Sequence, residues 1–192
     1  MKKKIAHTIL TMVVAAVFAT GAVTALGGCT TSGAGASSQT SDSTPHVLPT
    51  TKNPIVNTST VPGLTVLQAV AENNVDPSTK KPIADRLQVT LKNSSTSTLD
   101  GFQIYYTMTD TKTHKSESYY QPLTGLTIAP GAVATVYFDN QHGANHYPEN
   151  TFSIYRTSQN NVVFSIEVSA KGAAVATASA VKGKGTGEVV GG

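Results

Sequence analysis

The chain has 192 residues, room for one domain of ordinary size with flanking segments, and a core of that size is stable without disulfides. Its formal charge of +3 resides in Lys2, Lys3 and Lys4: the 14 basic residues less those three leave 11, equal to the 11 acids, so no basic patch for a phosphate backbone follows and nucleic acid is disfavoured as a partner. Cys29 is the only cysteine, which excludes intramolecular disulfides and every cysteine-based zinc or iron–sulfur site.

Residues 1–28 have the order of an export signal. The three lysines form a positive start, residues 9–25 are uncharged and rich in Ala, Val and Thr, and the small residues Gly27 and Gly28 precede Cys29. The apolar run is diluted by Thr20, Gly21 and Thr24, and at about 17 residues it lies at the lower limit for spanning a bilayer, so cleavage is expected over retention as a membrane helix. Leu26-Gly27-Gly28-Cys29 resembles the lipobox of bacterial lipoproteins. That resemblance implies a diacylglyceryl group on the Cys29 sulfur, cleavage after Gly28, and a membrane lipid anchor on the extracytoplasmic face, at the cell surface or in the periplasm. Two acyl chains, at about 0.8 kcal/mol per buried CH2, hold a protein on a bilayer where one chain does so only marginally.

Residues 29–60 read as the lipidated N-terminus followed by a flexible tether. The stretch is dominated by Ser, Thr, Gly, Ala and Pro, has Asp42 and Lys52 as its only charges, and shows no hydrophobic periodicity. As a flexible coil it reaches roughly 30 Å, with Pro45, Pro49, Pro54 and Pro62 stiffening its second half.

The expected domain covers 61–172, since every aromatic residue after the export segment lies between Phe102 and Phe164. Leu64, Val66 and Val70 begin a first strand, although the neighbouring Ala residues also suit a helical turn. Leu87, Val89 and Leu91 alternate with polar residues up to a turn at Asn93-Ser94-Ser95. Phe102, Ile104, Tyr106 and Met108 then alternate with Gln103, Tyr105 and Thr107, placing the first set inward and Tyr105 outward. A polar connection over 110–115 leads to a short strand at 118–120, and Pro130-Gly131 marks a turn before a β-branched strand over 133–138. After a polar loop over 139–150, further strands are expected at 152–155 and 162–168, with Asn160-Asn161 as the turn between them. Residues 173–181 suit either a last edge strand or disorder, and the remainder to 192 a flexible tail. About seven or eight short strands with no helix predict an all-β antiparallel sandwich.

Three segments carry a further resemblance: Leu87-Gln88-Val89-Thr90-Leu91-Lys92-Asn93, the alternation from Phe102 to Asp110, and Leu126-Thr127-Ile128-Ala129-Pro130-Gly131 followed by a Val-Tyr-Phe strand. Together they resemble the Ig-like β-sandwiches of bacterial envelope lipoproteins, and are similar to fibronectin-type and carbohydrate-binding sandwiches. The resemblance implies a binding or structural module whose partner is an envelope protein or a glycan. The chain departs from antibody-type domains in lacking a Cys pair and a Trp, and from sugar-binding modules that stack on surface Trp.

Two groups of residues are candidates for binding. Outward tyrosines, Tyr105 with Tyr119 or Tyr120, form a flat platform for a sugar ring or a partner protein if they align; otherwise they are cross-strand pairs that stiffen the sheet. In the loop that begins at Asp139, His142 and His146 with Asp139 offer ligands for zinc or copper. Gly143, Asn145 and Pro148 argue against the helix that a four-residue histidine spacing needs, so a solvated loop is the competing reading. No nucleophile elbow or phosphate-binding glycine loop is present and the one thiol is assigned to lipid, so neither catalysis nor a cofactor is expected.

Overall fold

The strict alternation at the centre of the sequence becomes the centre of a sheet. In the computed structural model, which describes residues 47–72, 78 and 87–184, the ordered segments are β1 (Leu64–Ala71), β2 (Leu87–Asn93), β3 (Gln103–Asp110), β4 (Ser116–Pro122), β5 (Val133–Phe138), β6 (His146–Tyr147), α1 (Ile154–Thr157), β7 (Val162–Ser169) and β8 (Ala176–Lys182). All of them belong to one compact unit that begins at Asp42. The export segment, Cys29, the first part of the tether and the tail beyond 184 lie outside the described residues. No described helix is long and apolar enough to cross a membrane.

The strands form two four-stranded sheets, ordered β1-β2-β5-β6 and β4-β3-β7-β8, antiparallel except where β6 runs parallel to β5. Period-two alternation gives each sheet one apolar face. In the first sheet Leu87, Val89 and Leu91 of β2 are joined by Val136 and Phe138 of β5; in the second, Ile104, Tyr106 and Met108 of β3 are joined by Phe164, Ile166 and Val168 of β7, and all are buried in one core. The Tyr106 ring stacks on Tyr119 at 5.6 Å between centroids and lies 5.7 Å from that of Phe138, which ties β3 and β4 to β5.

The turn at Asn93 is built from its side chain. This completely buried amide (0% exposed) donates to the carbonyls of Ser97 and Ile128, both at 2.8 Å, and accepts from the Ser95 N–H at 2.9 Å and the Ser95 hydroxyl at 2.7 Å. Gly63 lies against the same turn and accepts from the Ser94 N–H.

One open reading is decided by the structure and three expectations differ from it. The Ala-rich part of β1 is strand, with a register shift between Val66 and Gln68, because pairing with β2 satisfies its backbone. The strand expected at 152–155 is instead the helical turn α1: the Ser153 carbonyl accepts from the N–H groups of Arg156 and Thr157 and from the Thr157 hydroxyl, while Tyr155 is buried and Phe152 exposed. The polar loop over 139–150 contains β6, whose pairing with β5 begins at Tyr137 opposite His146. Finally, residues 47–60, expected as part of a flexible tether, are laid against the second sheet. Val47 packs against the core at the start of the segment and Ile55 is half-buried, but Leu48 and Val56 are exposed, and from Thr50 onward asparagine, serine and threonine hydrogen bonds hold it.

Candidate functional site

The outward face of the sheet β4-β3-β7-β8 is hydroxyl-rich and nearly uncharged. Registered pairing places Thr107 opposite Ser118 and Thr109 opposite Ser116, and their hydroxyls hydrogen-bond at 2.8 and 2.9 Å. Tyr105 stands directly opposite Tyr120 on β4 and opposite Glu167 on β7. Among the described residues of these four strands, Glu167 is the one charged side chain on the outward face.

Tyr105 and Tyr120 are therefore the aligned outward pair, both half-buried. Tyr119 is not available to such a platform: its parity turns it inward, it is 1% exposed, and its hydroxyl donates to Glu117 at 3.0 Å while accepting from the Asn150 amide at 3.1 Å. Burial, and then the Glu117 carboxylate it donates to, push its phenol above the ordinary tyrosine range. Tyr106 is shifted the same way, first by burial and then by the negative charge of Glu149.

The segment 47–61 crosses this face as a strap. The Thr50 N–H donates to the carbonyl of Ser118 on the edge strand β4 at 2.8 Å, and three residues later the Asn53 amide donates to the Glu167 carboxylate of β7, also at 2.8 Å. Strand β3 lies between β4 and β7, so the strap passes over it on the way, at the level of Thr107 and Tyr105. Further along, the Asn57 amide donates to the Ser169 hydroxyl at 2.8 Å and to the carbonyls of Ala170 and Ala173 at 3.3 and 2.9 Å. The Ser59 hydroxyl donates to Gly172 O at 3.1 Å, and the Val61 carbonyl accepts from Ala174 N–H at 2.7 Å.

Local chemistry prepares the strap for this path. The side-chain oxygens of Asn53 and Asn57 accept from the N–H groups two residues on, Ile55 and Ser59, each at 2.9 Å, which bends the chain without neighbouring strands. Burial alternates along it, with Ile55, Asn57 and Ser59 half-buried between exposed neighbours. Between strap residues 56–59, Gln103 of β3 and the turn 169–172 runs an open groove of about 550 Å³. Asn53, Asn57, Ser59 and Glu167 were not anticipated from the sequence. The only signal was the period of two over Ile55, Asn57 and Ser59, which a search for apolar alternation passes over.

The histidine loop gives a pair and no cluster. The Asp139 side chain is 0% exposed and both its oxygens lie 3.0 Å from His146 Nδ1, while the imidazole, 23% exposed, stacks on Tyr137 at 5.0 Å. The ring is thus oriented by the carboxylate on one edge and by the tyrosine on one face. Left-handed backbone at Asn140 and Asn145 (φ 58° and 66°) folds the loop back so that Tyr137 N–H donates to Asn145 O. His142 is exposed, and among the described residues no group of three or more His, Cys, Asp or Glu is placed to hold a metal ion. The expected set of Asp139, His142 and His146 is therefore reduced to its first and last members. A pocket of about 290 Å³ lies beside His146, walled by Thr124, Gly125 and residues 143–147.

Two buried acids have structural duties. The Glu149 carboxylate is paired with Arg156 of α1, whose Nε donates at 2.9 Å, and Asp110 organises the ends of β3 and β7. Asp110 accepts from the Ser158 hydroxyl at 2.6 Å, the Asn160 amide, and the N–H groups of Thr113 and Lys112. These hydrogen bonds, Ser158 and Asn160 foremost, hold its carboxyl well below the usual carboxylate range.

No family model matches the chain, and no curated protein matches it in sequence. Among solved structures, it is similar to an alkylpurine DNA glycosylase, AlkC, of Pseudomonas fluorescens, bound to DNA containing an abasic site analogue, at 15% identity and a TM-score of 0.32, over 64% of this chain and 29% of that one. It is also similar to a β-glucosidase of Listeria innocua, in complex with gluconolactone at 17% identity and TM-score 0.30, and with glucose at 16% and 0.29; both cover 66% of this chain and 16% of that one. The chain thus spans less than a third of the length of each of these proteins, and at such TM-scores the likenesses carry no functional argument.

Proposed function

We propose that this chain is a lipid-anchored binding module of a bacterial cell envelope: an Ig-like β-sandwich held on the extracytoplasmic face of a membrane through a diacylglyceryl group on Cys29, and acting through its surface on another envelope component. The observation that carries the reading is the position of the sole cysteine, after an uncharged run with a lysine-rich start and before a Ser/Thr/Pro-rich stretch that leads into a two-sheet domain. Residues 29–46, the part of that stretch ahead of the strap, would as a relaxed coil give the domain a reach of roughly 23 Å from the headgroups. The test is fractionation of a Cys29→Ala variant, which is expected to accumulate unprocessed or in the soluble fraction. Unchanged processing together with unchanged membrane retention refutes the anchor.

Within this reading, a glycan is favoured over a protein as the envelope component by the Tyr105–Tyr120 register on the outward face. Aromatic rings flanked by paired hydroxyls suit a sugar, which presents an apolar face and hydrogen-bonding edges. The metal-binding alternative has less support, because the Asp139–His146 pair leaves His142 aside.

A further inference from the structure

The strap and the tyrosine face are chemically matched in one direction. Over residues 50–59 the strap donates, and the sheet and the turn after β7 accept: Thr50 N–H to Ser118 O, the Asn53 amide to the Glu167 carboxylate, and the Asn57 amide to Ser169 Oγ and the Ala170 and Ala173 carbonyls. The face is therefore rich in acceptors, with Tyr105 and Tyr120 as its ring surfaces, and residues 50–59 satisfy it with one backbone N–H and with side-chain donors, Ile55 being their one half-buried aliphatic side chain. Val56, in the middle of the strap, is 91% exposed. A segment held by side-chain hydrogen bonds with little apolar burial belongs to the low-stability end of a structure and opens before the sheets do.

We propose that residues 50–59 are a displaceable cover on the tyrosine face, and that the occupant which replaces them is an extended neutral glycan. A chain of sugars presents hydroxyl donors along its edges and apolar ring faces for Tyr105 and Tyr120, so it reproduces the strap's hydrogen bonds and adds stacking the strap does not supply. Glu167, released from Asn53, accepts from a sugar hydroxyl in its place. The open groove beside Gln103 and Ser169 is where such a chain first gains a foothold, since one of its walls is the strap itself. The proposal rests on the glycan form of the binding-module reading; it is independent of the lipid on Cys29. It carries a consequence for the tether, because lifting ten residues at about 3.3 Å each adds up to roughly 30 Å to its fully extended length.

The test uses the full-length protein in detergent, with β-1,4-linked hexamers of glucose and of N-acetylglucosamine as probes. Amide hydrogen exchange over 50–60 reads the strap, and calorimetric titration reads binding. Asn57→Ala removes the donor with three acceptors, and Asn53→Ala, at an exposed position, serves as the second release variant should the first disturb folding. Both are expected to speed exchange in the strap and to raise affinity for a hexamer about three- to tenfold, since a cover that is closed most of the time lowers apparent affinity by the open fraction. Tyr105→Ala is expected to lower affinity at least tenfold. Faster exchange with unchanged or weaker hexamer binding overturns the cover while leaving the glycan reading standing. Absence of hexamer binding in the wild type and both release variants overturns the glycan occupant. Binding of a peptide of residues 47–61, but not of the hexamers, to Asn57→Ala assigns the face to a polypeptide and overturns the proposal as well.

Discussion

Asn93 offers the sharpest test of how this fold is held. Its amide is completely buried and all its hydrogen-bonding capacity is used at the corner where β2 ends, joining the backbone of residues 95, 97 and 128. Replacing it by alanine removes four hydrogen bonds at once. It also leaves the Ser97 and Ile128 carbonyls and the Ser95 N–H without that partner. Neutral hydrogen bonds contribute a net ~1 kcal/mol each, and an orphaned buried group costs ~1–3 kcal/mol, so Asn93→Ala is expected to destabilise by about 3–4 kcal/mol after local rearrangement and hydration. For a domain of this size that corresponds to a fall in Tm of about 10–15 °C. Asn93→Asp is a sterically silent control that keeps the acceptor and loses both donors, and it is expected to be as damaging because it also buries a charge beside two carbonyl oxygens. Thermal and urea unfolding of the three proteins measures this. A loss under about 1 kcal/mol in Asn93→Ala with an unchanged urea m-value means the corner is held by its backbone pairing alone, and the side-chain account is wrong.

Two further changes probe the same framework. At Gly63 an added Cβ would stand 2.9 Å from Ser95 Cβ, at the turn that Asn93 braces, so Gly63→Ala is expected to cost about 1–3 kcal/mol in urea unfolding; pairing it with Ser95→Gly recovers part of the loss if the contact is the cause. Asp110 has a depressed folded-state pKa, so its hydrogen bonds contribute stability that is fully present above the ordinary Asp pKa of about 3.9 and is lost as pH falls below that value toward the folded one. Wild type is therefore expected to lose stability on acidification from pH 5 to pH 2.5 more steeply than Asp110→Asn, and parallel pH profiles for the two would contradict the role given to Ser158 and Asn160.

How much was legible in the sequence follows from which forces act along the chain and which act across it. The alternation of Leu87, Val89 and Leu91, and of Phe102, Ile104, Tyr106 and Met108, determined the strands and their inward faces, because a pleated strand with one buried side leaves no other pattern. The same parity put Tyr105 outward. It left open whether Tyr119 or Tyr120 joined it, because that choice depends on the register of β4 on β3. The helical turn at Ile154–Thr157 escaped for a related reason: Phe152 and Tyr155 look like strand residues, but the pairing of Arg156 with Glu149 and the burial of Tyr155 in the core suit a turn.

By itself, the sequence determined the uncharged run before Cys29, the even charge balance after it, and an all-β core, since these are properties of composition and period. Only the tertiary structure decided that residues 50–59 lie across the second sheet, that Asp139 pairs with His146 while His142 stays exposed, and that Asn93 braces a corner. The polar partners in these cases lie 112, 7 and 35 residues apart, and at any of those separations a side-chain hydrogen bond is made by the folded path of the backbone and leaves no periodic trace in the sequence.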